Sequence, residues 1–194
     1  MRRSSHARTS SRARVLDSAL AHLLDVGYDG PSVRDVARTA EVAETTIYRR
    51  WPTTHDLATA AIAHLAHTQN PIPDTGTLEG DLRELLAQIF GLLRRSEVER
   101  LVRAAAALDS AKPEAVDARK KFWLGRLAGS TDIVQRAVER GELPVGTDAA
   151  GLVEFLVAPA YLRLLLLDRP IDDALIDLSV RNTIAAYAVG RQKP

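Results

Sequence analysis

Apolar side chains recur at steps of three and four residues along almost the whole chain, which is the spacing of one face of an α-helix. The first such segment covers residues 15–26, with Ser10 or Ser11 placed to cap its start and Gly27 placed to end it. No stretch of useful length alternates apolar and polar residues in the way a half-buried strand does. The pattern therefore predicts an all-α fold.

Further helices are predicted from the same spacing, from capping residues, and from the Pro and Gly residues between the segments. Pro52 ends one helix, residues 70–76 form a linker, and Pro159 is expected to kink a strongly apolar helix. The predicted helices lie at about residues 32–39, 44–51, 54–68, 78–94, 96–110, 113–128, 132–140, 148–167 and 172–190.

Residues 32–51 predict two short helices joined by a tight turn. Val36 and Ala37 of the first helix can pack against Val42 and Ile47, and neither helix is long enough to be stable alone. Packed on the first long helix, the pair forms a three-helix unit with helix-turn-helix geometry. The second helix of such a unit fits the major groove of DNA.

The outward side chains of that second helix are polar or cationic, and each has a suitable partner on DNA. The side chains that can contact base edges are those of Glu44, Thr45 and Arg49. Those that can donate hydrogen bonds to phosphates are Thr46, Tyr48 and Arg50. Arg34 and Arg38 add positive charge on the preceding helix. A structural helix pair with a merely solvated arginine face has the same pattern, so both interpretations stay open at this point.

The distribution of charge along the chain supports DNA binding, whereas the net charge does not. The chain has 26 basic and 25 acidic residues, and a formal net charge of +1 gives no argument for nucleic acid. Residues 1–55 hold nine arginines against six acidic residues, whereas the remainder holds 17 basic and 19 acidic residues. Residues 1–11 are predicted to form a flexible basic tail that contacts DNA or is simply solvated. Arg12 and Arg14 are grouped with the arginines of this tail.

Two motifs in this region resemble the N-terminal domain of the TetR family of transcriptional regulators. They are G-Y-D-G-P-S-V-R-D-V-A at residues 27–37 and T-I-Y-R-R-W at residues 46–51. A basic start that leads into a helix and an A-x-V turn complete the resemblance, which covers roughly residues 10–60. A looser similarity to the penultimate helix of family members lies at residues 159–165 and 170–172.

The resemblance implies a role for each matching position. Thr46, Tyr48 and Arg50 would hold phosphates, Glu44, Thr45 and Arg49 would face bases, and Arg34 would reach a base or a phosphate. Three departures from the family pattern bear on affinity: Glu41 replaces the usual turn Gly, Ala43 replaces the usual Ser cap, and Thr54 replaces a frequent phosphate-binding Lys. Thr54 is nevertheless expected among the DNA contacts.

A helix-turn-helix domain at residues 12–52 is thus predicted to precede a larger helical domain at residues 53–194, with regulatory and dimerisation roles. The resemblance implies that the last two helices of each subunit form a four-helix interface across a two-fold axis. The side chains expected there are Leu152, Phe155, Leu164, Leu175, Leu178 and Tyr187. The alternative is that all this apolar surface is intrachain core.

A ligand pocket is the second role that the resemblance implies for this domain. Phe90, Phe122, Trp123 and Leu127 fall on helices that line such a pocket in the family. Aromatic residues at helical spacing are equally typical of an ordinary core. The aliphatic bias of the surrounding sequence suggests an apolar or aromatic small molecule as the ligand.

Other kinds of site are not expected. The chain has no cysteine, which excludes disulfides, cysteine-ligated zinc and a thiol nucleophile. It has no G-x-S-x-G, HExxH or glycine-rich phosphate loop, so neither an enzyme nor a bound cofactor is predicted. His64 and His67 lie one helical turn apart without a third ligand, so no metal site is predicted.

The longest apolar stretch, residues 151–167, contains three residues that disfavour a membrane span: Glu154, Pro159 and Arg163. It is also shorter than the roughly 20 residues that a span needs, so a buried helix of a cytoplasmic protein without membrane contact is expected.

The function expected from these observations is that of a dimeric TetR-like regulator. It would act as a repressor that binds a palindromic operator and is released by a small molecule. Two alternatives are a DNA-binding protein without a ligand switch and a helical ligand-binding protein that has lost specific DNA binding.

Overall fold

The computed structural model describes residues 10–27, 32–69, 71–106, 116–117, 120 and 130–188, and these ranges contain helices and loops but no strand. The first six helices are α1 (Ser11–Val26), α2 (Val33–Ala40), α3 (Glu44–Arg50), α4 (Thr54–Gln69), α5 (Leu78–Leu93) and α6 (Ser96–Ala106). After these come α7 (Thr131–Glu139), α8 (Ala149–Leu162), a π-helical turn (Arg163–Leu167) and α9 (Asp173–Ala188). The all-α prediction is confirmed, and most of the helix predicted at 113–128 lies outside the described residues.

Short polar side chains set the helix starts, as the sequence predicted. Ser10 and Ser32 cap α1 and α2 by accepting a backbone N–H three residues further on, at 3.2 and 3.3 Å. Asp148 and Asp172 do the same for α8 and α9, at 3.1 and 3.0 Å. Gly27 follows α1 with a φ of 96°, a conformation that favours glycine.

The first core joins α1, α2 and α3 to the first half of α4. Its buried side chains are Val15, Leu16, Ala19, Leu23, Val33, Val36, Ala37, Ala40, Ile47, Trp51, Leu57, Ala58, Ala61 and Leu101. Leu101 belongs to α6, so this helix also packs on the N-terminal unit. The predicted boundary at residues 52/53 therefore falls between helices that share one core.

The second core is built from α5, α7, α8 and α9, with Leu65 from the end of α4, Val98 from α6 and Leu164 from the π-helical turn. Its fully buried side chains include Leu82, Leu86, Phe90, Ile133, Leu152 and Leu156. Leu20 and Leu24 of α1 are half-buried and pack against both cores. The two cores are thereby joined through α1, and also through α4, which has buried residues in each.

A buried carboxylate closes the linker between α4 and α5. Asp81 lies on the first turn of α5 and is fully buried. Its Oδ1 accepts hydrogen bonds from the backbone N–H of Thr75 at 2.6 Å and from the Thr75 hydroxyl at 2.9 Å. Its Oδ2 lies 3.5 Å from the Arg140 guanidinium and 3.7 Å from the Arg136 guanidinium. The carboxylate thus joins the linker, α5 and the end of α7.

Both arginines hold further groups of the same region. Arg136 donates to the backbone carbonyl of Pro73 in the linker. Arg140 pairs with Glu142, and the other carboxylate oxygen of Glu142 accepts the N–H of Leu78 at 2.7 Å. Glu142, and more weakly Asp81, raise the pKa of Arg140. A charge cluster of this kind fixes geometry, because removing one member leaves the others poorly paired.

The apolar helix α8 is exposed over much of its surface, which corrects the expectation of a buried helix. Residues 149–167 are apolar and long enough to resemble a membrane span by length and composition alone, and only 28% of the most apolar window is buried. Phe155 and Leu162 are each 49% exposed and Leu166 is 75% exposed. Helical spacing alone could not reveal this, because α8 is apolar on every side and the exposed face is chosen by its packing neighbours.

We expect Asp81→Ala to lower the free energy of unfolding by about 3 kcal/mol, because it removes the buried acceptor of the Thr75 donors and the buried carboxylate that faces Arg136 and Arg140. Urea unfolding followed by circular dichroism measures this change. Asp177→Ala is the matched control: this exposed carboxylate also pairs with an arginine, Arg83, and its removal should cost less than about 1 kcal/mol. Equal losses for the two variants would contradict a special role for the buried cluster.

Candidate nucleic-acid interface

α3 is held to the N-terminal unit by one face only. Ile47 is fully buried, and Trp51, which follows the helix, is 9% exposed. The N–H of Trp51 bonds to the carbonyl of Ile47 at 2.8 Å and closes the end of the helix. Since Thr46 is half-buried and the other side chains of α3 are exposed, most of this helix is available to a partner.

The exposed face of α3 brings together the residues that the sequence singled out for DNA. The exposed side chains are Glu44, Thr45, Tyr48, Arg49 and Arg50. The guanidinium of Arg50 lies 5.7 Å from the centre of the Trp51 ring, which is a cation–π distance and limits where this cation can point.

A groove of about 290 Å³ separates α3 from the start of α1. Its lining residues are Ser11, Arg12, Val15, Val42, Thr46, Arg49, Arg50 and Trp51. Arg12 lines this groove from the first turn of α1, and both Arg12 and Arg14 lie within the helix, so grouping them with the arginines of the tail is corrected. The cap residue Ser10 was the sequence signal that placed both arginines inside the helix.

The two arginines of α2 differ in whether an acidic side chain of the protein already pairs with them. Arg38 forms an ion pair with Asp35 at 2.6 Å, which reduces its value as a free cation. A side-chain hydrogen bond with Ser32 and the charge of Arg38 lower the pKa of Asp35, so this carboxylate remains ionised at neutral pH. Arg34 is exposed and has no acidic partner in the described part of the chain, so it remains available to an anion.

The turn between α2 and α3 has the two departures expected from the sequence. Glu41 adopts the left-handed conformation with a φ of 54°, which strains a non-glycine residue by roughly 1 kcal/mol. Ala43 occupies the cap position of α3 and provides no side-chain hydrogen bond to it. The turn itself is closed by the N–H of Val42, which bonds to the carbonyl of Ala37 at 3.0 Å.

The start of α4 is capped reciprocally by Thr53 and Asp56. The Thr53 hydroxyl accepts the N–H of Asp56 at 3.0 Å, and the Asp56 carboxylate accepts the N–H of Thr53 at 3.2 Å. Thr54 is the first residue of the helix and is half-buried. A phosphate contact from Thr54 stays a prediction.

Comparison with known proteins identifies both parts of the chain. Residues 15–61 match the family described as bacterial regulatory proteins, tetR family. Residues 72–183 match the tetracyclin repressor-like C-terminal domain. The chain belongs to the TetR family. It is therefore a helix-turn-helix transcriptional regulator of a family that binds DNA.

Individual relatives agree with this assignment. A DNA-binding transcriptional repressor TetR of Mycobacteroides abscessus is 34% identical over 84% of this chain and 86% of its own length. The regulator AqdR of Rhodococcus erythropolis is 33% identical over 71% of this chain, and the match spans 66% of AqdR. The crystal structure of the TetR family regulator SCO0332 superposes with a TM-score of 0.80 at 28% identity, covering 91% of this chain and 98% of that one.

The residues expected at a TetR-family dimer interface fall into two groups. Leu152, Leu164 and Leu175 are buried in the second core of their own subunit, so their assignment to an intersubunit surface is corrected. Phe155 and Leu178 are 49% and 41% exposed. Tyr187 is half-buried, and its ring contacts that of Phe155 edge-on with 6.3 Å between the centroids; these three residues remain candidates.

Of the four residues expected in a ligand pocket, the structure describes only Phe90. Phe90 is fully buried among the side chains of the second core, and its place in a ligand pocket stays a prediction. Phe122, Trp123 and Leu127 lie outside the described residues. The side chain of His67 is outside them as well, whereas His64 bonds to Asp17 of α1 at 3.0 Å.

Proposed function

We propose that this TetR-family protein is a cytoplasmic repressor that binds a palindromic operator as a homodimer and is released by a small apolar or aromatic molecule. The observation that carries the proposal is the exposed polar and cationic face of α3, held in place by buried Ile47 and Trp51. The name of the M. abscessus relative, a DNA-binding transcriptional repressor, supports repression as the output.

Within this proposal, α3 divides its side chains between bases and phosphates. Glu44, Thr45 and Arg49 reach base edges, where a carboxylate accepts from cytosine and a guanidinium donates twice to guanine. Thr46, Tyr48 and Arg50 donate to phosphates, which position the helix without reading sequence. Arg34 and Thr54 add contacts from the adjoining helices.

The dimer is proposed to form through the exposed faces of α8 and α9. Phe155, Leu162 and Leu166 follow one another by seven and four residues and therefore share one helix face. Phe155 meets Tyr187 where α8 and α9 touch, and Leu178 adds an exposed apolar side chain on α9. An exposed apolar face of this extent calls for a partner, and a second copy related by a two-fold axis presents the same face.

A two-fold dimer also explains why the operator should be palindromic. It places two copies of α3 on successive major grooves, about 34–36 Å apart, so each copy reads one half-site.

The candidate effector site lies between α6 and the π-helical turn. It is an open surface cavity of about 470 Å³, and the described residues that line it are Arg103, Ala106, Tyr161, Leu162, Leu165 and Leu166. This volume falls within the range of about 300–1,000 Å³ that small-molecule sites occupy. Leu162 and Leu166 belong both to this lining and to the proposed dimer face, so an occupant of the cavity would contact the interface directly.

α6 provides the physical route from this cavity to DNA. Arg103 and Ala106 line the cavity, whereas Leu101 of the same helix is 2% exposed within the first core. A ligand that shifts α6 therefore acts on the unit that carries α3. The ligand must bind the DNA-incompetent arrangement more tightly, by about 1–3 kcal/mol, to act as a release signal.

The test of this function is selection of random duplex DNA by the purified protein at near-physiological salt. We expect a palindrome with half-sites about one helical turn apart to be enriched. Enrichment of a single half-site would contradict the dimer. Salt-sensitive binding without any enrichment would instead favour a relative that has lost sequence-specific DNA recognition.

An effector should raise the operator Kd by about fivefold or more. The selected operator serves as the probe while apolar and aromatic compounds are titrated, and compounds that bind are found independently by their effect on the melting temperature. A compound that stabilises the protein yet leaves operator affinity unchanged would favour the alternative of a regulator without a ligand switch.

Arg50→Ala should weaken binding to all DNA sequences alike and reduce the slope of log K against log salt by about 0.9, since one phosphate contact is lost. Tyr48→Phe should weaken binding uniformly without changing the slope. Arg49→Ala and Glu44→Ala should instead alter the preferred base at one position, at a cost of about 1–3 kcal/mol. Arg100→Ala, an exposed charge on α6, is the control and should change neither property.

Leu162→Glu should convert the dimer to a subunit of 21.2 kDa, because it places a charge in the proposed apolar interface. Sedimentation velocity measures the change, and operator affinity should fall with it. Val145→Glu is the matched control, since Val145 is 92% exposed in a loop and should leave the mass unaltered. A Leu162→Glu protein that remains dimeric would place the interface elsewhere.

A further inference from the structure

We propose that Arg14 is a positioning residue for α3, a role that rests on the DNA binding proposed above. Arg14 lies on α1, and its Nε donates a hydrogen bond to the backbone carbonyl of Ala40 at 3.3 Å. Ala40 is the last residue of α2 and directly precedes the turn that leads to α3. The guanidinium thus connects the first helix of the unit to the hinge of the helix-turn-helix.

The Ala40 carbonyl has a specific need for this donor. The last carbonyls of a helix have no N–H from a following turn. The N–H groups of Glu41 and Val42 bond back to Ala37 and Arg38, and Ala40 is only 2% exposed, so little water reaches its carbonyl. A buried carbonyl without a donor costs about 1–3 kcal/mol, and a cation near the C-terminus of a helix is favourable in itself.

The turn after Ala40 is where α3 most needs such support. Glu41 is strained in the left-handed conformation, and Ala43 gives α3 no cap. The seven residues of α3 are anchored chiefly through Ile47. Without the Arg14 contact, the α2–α3 turn has fewer bonds that fix the angle of α3, and the base-reading side chains lose their register before the unit unfolds.

Arg14 could alternatively act as a phosphate contact, because it is exposed and follows Arg12 on the same helix. The two roles make different demands on the side chain. Positioning requires a donor at the place of Nε, whereas a phosphate contact requires the positive charge. In glutamine, the side-chain amide nitrogen is as many bonds from Cα as the arginine Nε, but the side chain is uncharged. A methionine side chain is as long as that of glutamine and has no hydrogen-bond donor.

The test therefore compares Arg14→Gln with Arg14→Met in the full-length protein, with Arg12→Ala as the charge control. We measure operator Kd over a range of salt, the ratio of affinities for the operator and a version with one altered base pair, and amide hydrogen exchange of α3 without DNA. Arg14→Met should lower operator affinity by about fivefold to tenfold, reduce that ratio and speed exchange in α3, with the salt slope unaltered. Arg14→Gln should restore all three values to within about twofold.

Arg12→Ala should reduce the salt slope by about 0.9 and leave exchange in α3 as it was. Two results would overturn the proposal. One is equal loss in Arg14→Gln and Arg14→Met with a reduced slope, which indicates a phosphate contact. The other is unchanged exchange of α3 in Arg14→Met. Because exchange is measured without DNA, it tests Arg14 even if the wild-type protein selects no operator.

Discussion

α1 is the helix on which both parts of the subunit are built. Val15, Leu16, Ala19 and Leu23 lie in the first core, whereas Leu20 and Leu24 pack against both cores. Any rotation of α1 would break contacts in both cores at once, because closely packed interiors do not deform continuously. The orientation of α3 relative to the rest of the subunit therefore depends on α1, through Ile47 in the first core and through the Arg14 bond to Ala40, with α4 and α6 as further links between the two cores.

The features that the sequence predicted correctly depend on interactions between residues close together in the chain. The cap at Ser10 is predictable because a hydroxyl that precedes an apolar-periodic segment bonds to an N–H only three residues away. The face of α3 was predicted because Ile47 is the apolar position within a polar heptapeptide. The strained conformation of Glu41 was anticipated from the family pattern and is present in the turn.

What the sequence could not predict depends on residues far apart in the chain. The Arg14–Ala40 bond joins residues 26 positions apart, and the ion pairs of Asp81 join α5 to residues of α7 and its end. Phe90 and Leu152 have the same apolar character whether they line a pocket, an interface or a core. The choice among these places is made by neighbouring helices, so neither helical spacing nor the family resemblance could show that Leu152 is buried within its own subunit.

Two contacts of α6 could couple the proposed effector site to the first core, and they differ in the free energy that each contributes. Arg103 joins α6 to Asp168, just after the π-helical turn, at 2.7 Å, but Asp168 is 83% exposed and such a pair contributes at most about 1 kcal/mol. Leu101, two residues earlier, is almost fully buried in the first core, and burial of a leucine side chain is worth about 1.5–3 kcal/mol. A release signal needs a coupling of about 1–3 kcal/mol. The packing of Leu101 is large enough to supply it and the surface ion pair alone is marginal, so in the proposed mechanism the effector acts by moving α6 against α1.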